Sequence, residues 1–108
     1  MNIFSNFFPT KETDLIGKDF KSQFLQEENP ILLDVRTPSE YASGTIPGAK
    51  NIDFMSPDFQ ANMQKLDPEN TYFLFCRSGS RSSGAASLLE KQGIKYFNLL
   101  GGISSWPL

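Results

Sequence analysis

The reactive chemistry of this 108-residue chain is concentrated in one segment, Cys76-Arg77-Ser78-Gly79-Ser80-Arg81-Ser82. Cys76 is the only cysteine, and there is no histidine anywhere in the chain. A thiolate is a nucleophile and a thiol is not, so Cys76 needs activation by something other than an imidazole. The segment follows an apolar run and precedes a helical pattern. Unpaired N–H groups at a helix start, and the partial positive charge there, favour an anion. Gly79 lets the backbone curl so that successive N–H groups converge in a nest. Arg77 and Arg81 add positive charge, while Ser78, Ser80 and Ser82 offer hydroxyl donors. A lone cysteine after an apolar strand is more often a small buried hydrophobe, and a Ser/Gly/Arg cluster is more often a solvated loop. Their combination at a strand–loop–helix junction points to a nucleophile or an anion site.

The same counts exclude other chemistry. One cysteine rules out an internal disulfide, a CxxC pair and a zinc site of Cys and His. Without histidine there is no Ser-His or Cys-His pair. Ten Lys and Arg against twelve Asp and Glu give a charge of −2, which is too balanced for a nucleic-acid face. Hydrophobic residues at 39% suffice for the core of one small domain. The N-terminal MNIFSNFFPTKETD lacks the pattern of a signal peptide. No apolar run reaches the roughly 20 residues of a membrane span. An unpaired thiol suits a reducing compartment, so a cytoplasmic location is expected.

The elements that must position Cys76 are short strands alternating with helices. Phe20, Phe24 and Leu25 share one face of a helix predicted over Gly17 to Glu27, broken by Asn29-Pro30. Ile31 to Val35 reads as a strand buried on both faces. Thr37-Pro38-Ser39-Glu40 is a capping box with proline at the first helical position. A brief strand is expected near Ala49 to Ile52, and Ser56-Pro57 signals another helix carrying Phe59, Met63 and Leu66. Thr71 to Phe75 is the strongest strand pattern and stops at Cys76. A polar loop leads to a helix with Ala85, Ala86, Leu88 and Leu89 on one face, stopped by Gly93. Tyr96 to Leu100 is the last strand. This rhythm predicts βαβ units and a mainly parallel sheet. Ligands of such sheets bind beyond the carboxyl ends of the strands, near Asp34, Cys76 and Leu100.

Taken together, these motifs resemble a single-domain rhodanese of the sulfurtransferase family. The matching residues are Leu32-Leu33-Asp34-Val35-Arg36, Glu40-Tyr41, Gly44-Thr45-Ile46-Pro47-Gly48-Ala49-Lys50-Asn51-Ile52, the loop Cys76 to Ser82, and Leu100-Gly101-Gly102-Ile103 with Trp106. They occur in the family's order from about Thr13 to Trp106. Many relatives have His where this chain has Thr45. The resemblance implies an α/β fold with a five-stranded parallel sheet, order 1-5-4-2-3, and helices on both faces. It implies Cys76 as a sulfur carrier that takes sulfane sulfur from a donor such as thiosulfate, forms a persulfide and passes the sulfur to cyanide or a thiol. The N–H groups from Arg77 to Ser82 would hold the persulfide, and Arg77 and Arg81 would attract an anionic donor. No metal or cofactor is implied, and the partners are a small sulfur donor and a thiol or protein acceptor.

Two alternatives belong to other classes. Phosphatases of this fold place five residues between Cys and Arg. Here four separate Cys76 from Arg81, a bowl better sized for one sulfur than for phosphate or arsenate. A non-enzymatic binding or sulfur-relay module is the other, and the retained Cys76 argues against a purely structural role. Asp34 and Arg36 read as an internal charged pair fixing the loop ends, in preference to substrate ligands. Trp106 reads as core or covering surface. Residues 1–12 form an apolar arm with Ile3, Phe4, Phe7 and Phe8, expected to pack on the domain of residues 13–108.

Overall fold

The computed structural model describes residues 12–107. The apolar arm carrying Ile3, Phe4, Phe7 and Phe8 lies outside them. Five strands, β1 (Asp14–Leu15), β2 (Pro30–Asp34), β3 (Lys50–Asn51), β4 (Thr71–Phe75) and β5 (Tyr96–Leu99), form one sheet in the order β1-β5-β4-β2-β3. Every pairing is parallel, as expected. β4 is central: Leu33 pairs with Leu74 on one side and Phe73 with Phe97 on the other. All five β4 residues are buried, which explains the hydrophobic run from Tyr72 to Phe75.

Successive strand residues point to opposite faces, so the run divides into two cores. Leu33, Tyr72 and Leu74 face α3 (Phe59–Gln64) and α4 (Ser80–Lys91), where Met63, Ala85 and Leu89 meet them. Leu32, Phe73 and Phe75 face α1 (Gly17–Gln26) and α2 (Pro38–Ser43), with Phe20 fully buried among them and Tyr41 against its edge. Phe20 and Phe24 both meet the Phe73 ring edge-on, at 5.4 and 5.3 Å, and both meet Trp106. Trp106 therefore belongs to the core's cover. Gly84 lets α4 pack closely against Phe54 in the first of these cores: a Cβ there would lie 2.7 Å from the Phe54 ring.

Several local expectations change. Leu25 is 72% exposed, because the inward stripe of α1 runs through Gly17, Phe20 and the half-buried Phe24, and the next residue turns about 100° away. Ser56 does not cap α3; its hydroxyl accepts the Asp58 N–H in a preceding turn, and the helix begins at Phe59. β3 keeps only Lys50 and Asn51, and β5 ends at Leu99. The two-residue edge strand β1 is too short to leave a periodic signal. The change that matters for chemistry is at α4, which begins at Ser80, inside the segment expected to be loop.

Candidate active site

Cys76 is the first residue beyond β4 and is fully buried. The chain then turns through Arg77 and Ser78 to Gly79, the N-cap of α4, whose φ of 107° lies in the left-handed region that glycine tolerates. This turn brings the Gly79 N–H to 2.9 Å from Cys76 Sγ. The first turn of α4 carries Ser82 back over the sulfur, and the thiol reaches Ser82 Oγ at 3.4 Å. Ser82 is itself buried, and its one hydroxyl hydrogen can donate to the Gly79 carbonyl at 3.1 Å while Oγ accepts from the thiol, or turn to Sγ when the sulfur is a thiolate. Because α4 starts at Ser80, the Ser82 N–H is one of the helix's unpaired first donors.

These contacts decide the state of the thiol. Burial pushes its pKa up. The Ser82 hydroxyl and then the N–H groups of Ser82, Gly79 and Ser78 pull it down, and their sum prevails: the pKa lies below the ordinary thiol value. The main activators are the nest and a hydroxyl, with hydrogen bonds to the charged form favouring it.

The two arginines differ. Arg77 is exposed and forms no ion pair among the described residues. Arg81 is clamped by Glu40, with Nη1 to Oε1 at 2.7 Å and Nη2 to Oε2 at 3.1 Å. Glu40 is the N3 residue of α2, and its Oε1 also accepts from the Thr37 N–H and hydroxyl in the expected capping box. The carboxyl is held well below its ordinary 4.5, at about 2, chiefly by the Arg81 hydrogen bonds. Ser78 and Ser80 are exposed at the rim.

Asp34 and Arg36 are buried beside the loop and face each other. Arg36 Nη2 and Nε lie 2.7 and 3.1 Å from Asp34 Oδ2, and Nε also donates to Oδ1 at 3.0 Å. The Arg36 N–H and the Thr45 hydroxyl complete the carboxylate's partners, both at 2.9 Å, and Arg36 Nη2 also holds the Gly44 carbonyl at 2.6 Å. Thr45 thus fastens its turn to the end of β2. Asn51 Nδ2 binds the carbonyls of Asp34 and Arg36, each at 2.9 Å. The pair braces the β2 end, from which Val35 N–H bonds the Phe75 carbonyl next to Cys76.

Two further supports come from segments distant in sequence. The Gly101-Gly102-Ile103 turn lies directly behind the Cys76 loop, with the Ile103 N–H donating to the Cys76 carbonyl at 2.8 Å. Glu40 is legible in the sequence as a cap, but its reach to a loop 41 residues away is not.

The family model described as "Rhodanese-like domain" matches residues 18–107, which include every residue of this site. The chain belongs to the rhodanese-like sulfurtransferase family. The domain is 31% identical over 94 residues to a protein of Allochromatium vinosum named "Sulfurtransferase", covering 86% of each chain. It is 32% identical over 87 residues to "Thiosulfate sulfurtransferase GlpE" of Pseudomonas fluorescens, covering 80% of this chain and 78% of that one. Among solved structures, the rhodanese-like domain protein of Staphylococcus aureus superposes with a TM-score of 0.73 at 30% identity, covering 87% of this chain and 90% of that chain. The rhodanese-like fold, with its 1-5-4-2-3 sheet, is therefore established for this chain.

Proposed function

We propose that this rhodanese-like domain is a thiosulfate sulfurtransferase in which Cys76 carries the sulfur. The observation that carries the reading is the convergence of the Gly79 N–H and Ser82 on a buried Sγ, with a thiol pKa below its ordinary value. The Cys76 thiolate attacks the outer sulfur of thiosulfate. The donor's S–S bond breaks, sulfite leaves with the electron pair, and Cys76 becomes a persulfide anion. Cyanide or an acceptor thiolate then attacks the outer sulfur and the Cys76 thiolate leaves. This two-step route is covalent catalysis.

The groups that lower the thiol pKa also suit the persulfide anion, which needs donors around a single extended sulfur. Arg77, exposed at the rim, attracts the anionic donor. With no second cysteine in the chain, no internal disulfide can release the sulfur, so the acceptor comes from outside. The unpaired thiol fits a reducing, cytoplasmic setting. The GlpE relative, by its name, acts on thiosulfate and supports the same donor here.

The test is thiosulfate loading followed by intact-mass measurement, together with thiocyanate formation from thiosulfate and cyanide. Wild type should gain one sulfur atom and turn over, and Cys76→Ala should do neither. Equal rates for the two proteins would overturn the mechanism. Loading without turnover to any small acceptor would favour the sulfur-relay role.

A further inference from the structure

Glu40 is tied to the Cys76 loop through Arg81, although it belongs to another βα unit. Its backbone is fixed at the start of α2 by the capping box, so the carboxylate cannot withdraw without unmaking that cap. Both of its oxygens are spent on the Nη atoms of Arg81, at 2.7 and 3.1 Å. Neither side chain is freely solvated: their exposures are 21% for Arg81 and 28% for Glu40. A two-point pair of this kind fixes the guanidinium plane as well as its position. Seen from an anion at the mouth of the loop, the pair is close to neutral. The loop's second positive charge is cancelled, and recognition is left to Arg77 and the backbone N–H groups.

We propose that Glu40 is a positioning residue that sets the charge selectivity of the site: by tethering and neutralising Arg81, it limits the pull of the loop on multiply charged anions approaching Cys76. Without Glu40's charge, Arg81 would face the mouth as a second uncompensated cation and the site would favour dianions more strongly. The consequence for donor choice rests on the sulfur-transfer reading above, whereas the field at Sγ does not.

The field can be read without any sulfur transfer, because Cys76 is the only thiol. Iodoacetate and iodoacetamide alkylate by the same displacement of iodide and differ chiefly in charge. The ratio of their rates, followed by intact mass, reports the potential at the sulfur. Glu40→Gln keeps an acceptor for Thr37 and for Arg81 while removing the charge. It should raise the iodoacetate-to-iodoacetamide ratio roughly two- to fivefold at low salt, as expected for one unit charge near the thiol. The rise should shrink at about 1 M salt, where the screening length is about 3 Å. Looser packing of the loop would change both rates in proportion and leave the ratio alone.

An unchanged or lower ratio in Glu40→Gln overturns the proposal. Should that variant fold poorly, Arg81→Gln supplies the converse test. It leaves Glu40 uncompensated and should bring the ratio below wild type, and an unchanged ratio overturns the proposal. In turnover, Glu40→Gln should lower KM for thiosulfate, a dianion, relative to KM for methanethiosulfonate, a monoanion. Wild type that takes sulfur from neither donor would overturn the proposed function, with the alkylation ratio still deciding the role of Glu40.

Discussion

The N–H of Ile103 donates to the carbonyl of Cys76 at 2.8 Å, which ties the C-terminal turn to the backbone of the nucleophile itself. Gly102 makes that approach possible. Its φ of 79° and ψ of −165° lie in a region almost reserved for glycine, and a Cβ there would collide with the Arg77 carbonyl and come within 2.7 Å of Ser78 N. Gly102→Ala should therefore cost about 2 kcal/mol or more, from backbone strain and displaced neighbours. The displacement falls on the Cys76–Ser78 turn, so sulfur loading should drop as well. Urea midpoints and loading rates, measured where the variant is folded, check both effects. A variant with wild-type stability would show that the turn can shift without cost.

The Cys76 thiol lies below its ordinary pKa because the Ser82 hydroxyl and the N–H groups of Ser82, Gly79 and Ser78 together outweigh burial. Rates that require thiolate should rise with pH through a midpoint below the ordinary thiol value. Ser82→Ala removes the largest of the lowering contributions, so the midpoint should move up and alkylation at neutral pH should slow. The pH profile of iodoacetamide alkylation measures this. A midpoint that stays in place would assign the activation to the N–H groups alone.

Asp34 and Arg36 form a buried pair whose partners are nearly all accounted for. Removing one member leaves the other buried without compensation, so Asp34→Asn should destabilise the domain by about 3 kcal/mol. Thr45→Val removes one hydrogen bond to the same carboxylate and should cost about 1 kcal/mol. Equilibrium urea unfolding gives both figures. At temperatures where Thr45→Val is fully folded, its KM for thiosulfate should match wild type, since neither Thr45 nor Asp34 is assigned to the donor. A KM raised without loss of stability would make Asp34 and its partners a binding group.

Glu40 has its carboxyl depressed from 4.5 to about 2 by Arg81, so the folded state favours the ionised form. Its contribution to stability is present above the ordinary carboxylate value and is lost as pH falls toward about 2. Wild type should exceed Glu40→Gln in stability above pH 4.5, and the two curves should converge as pH falls to about 2. Denaturant unfolding at a series of pH values makes the comparison. Parallel curves across that window would mean that the pair contributes nothing to stability.

Much of the fold and site was legible because it rests on local chemistry. The β4 run from Tyr72 to Phe75 is hydrophobic because the strand is covered on both faces, and the capping box at Thr37 and Glu40 needs only residues three apart. The loop from Cys76 to Ser82 carries its glycine, hydroxyls and arginines within one turn of chain. β1 was not legible, since two residues carry no period. The start of α4 at Ser80 was hidden because its first turn is polar and resembles a loop. Leu25 shows the same limit from the other side: an apolar residue can lie just off the buried stripe.

The sequence by itself determined that a lone cysteine, without histidine, sits in a cationic, glycine-containing turn at the end of a buried strand. It also determined which chemistry was excluded. Tertiary structure alone decided how the charges around that cysteine are spent. Arg77 and Arg81 are equivalent in the loop, yet one is exposed and the other is clamped by a glutamate from a different βα unit. The physical reason is that an ion pair is set by distance in space. Parallel pairing of β2 with β4 brings α2 beside the Cys76 loop, and no local pattern encodes that approach.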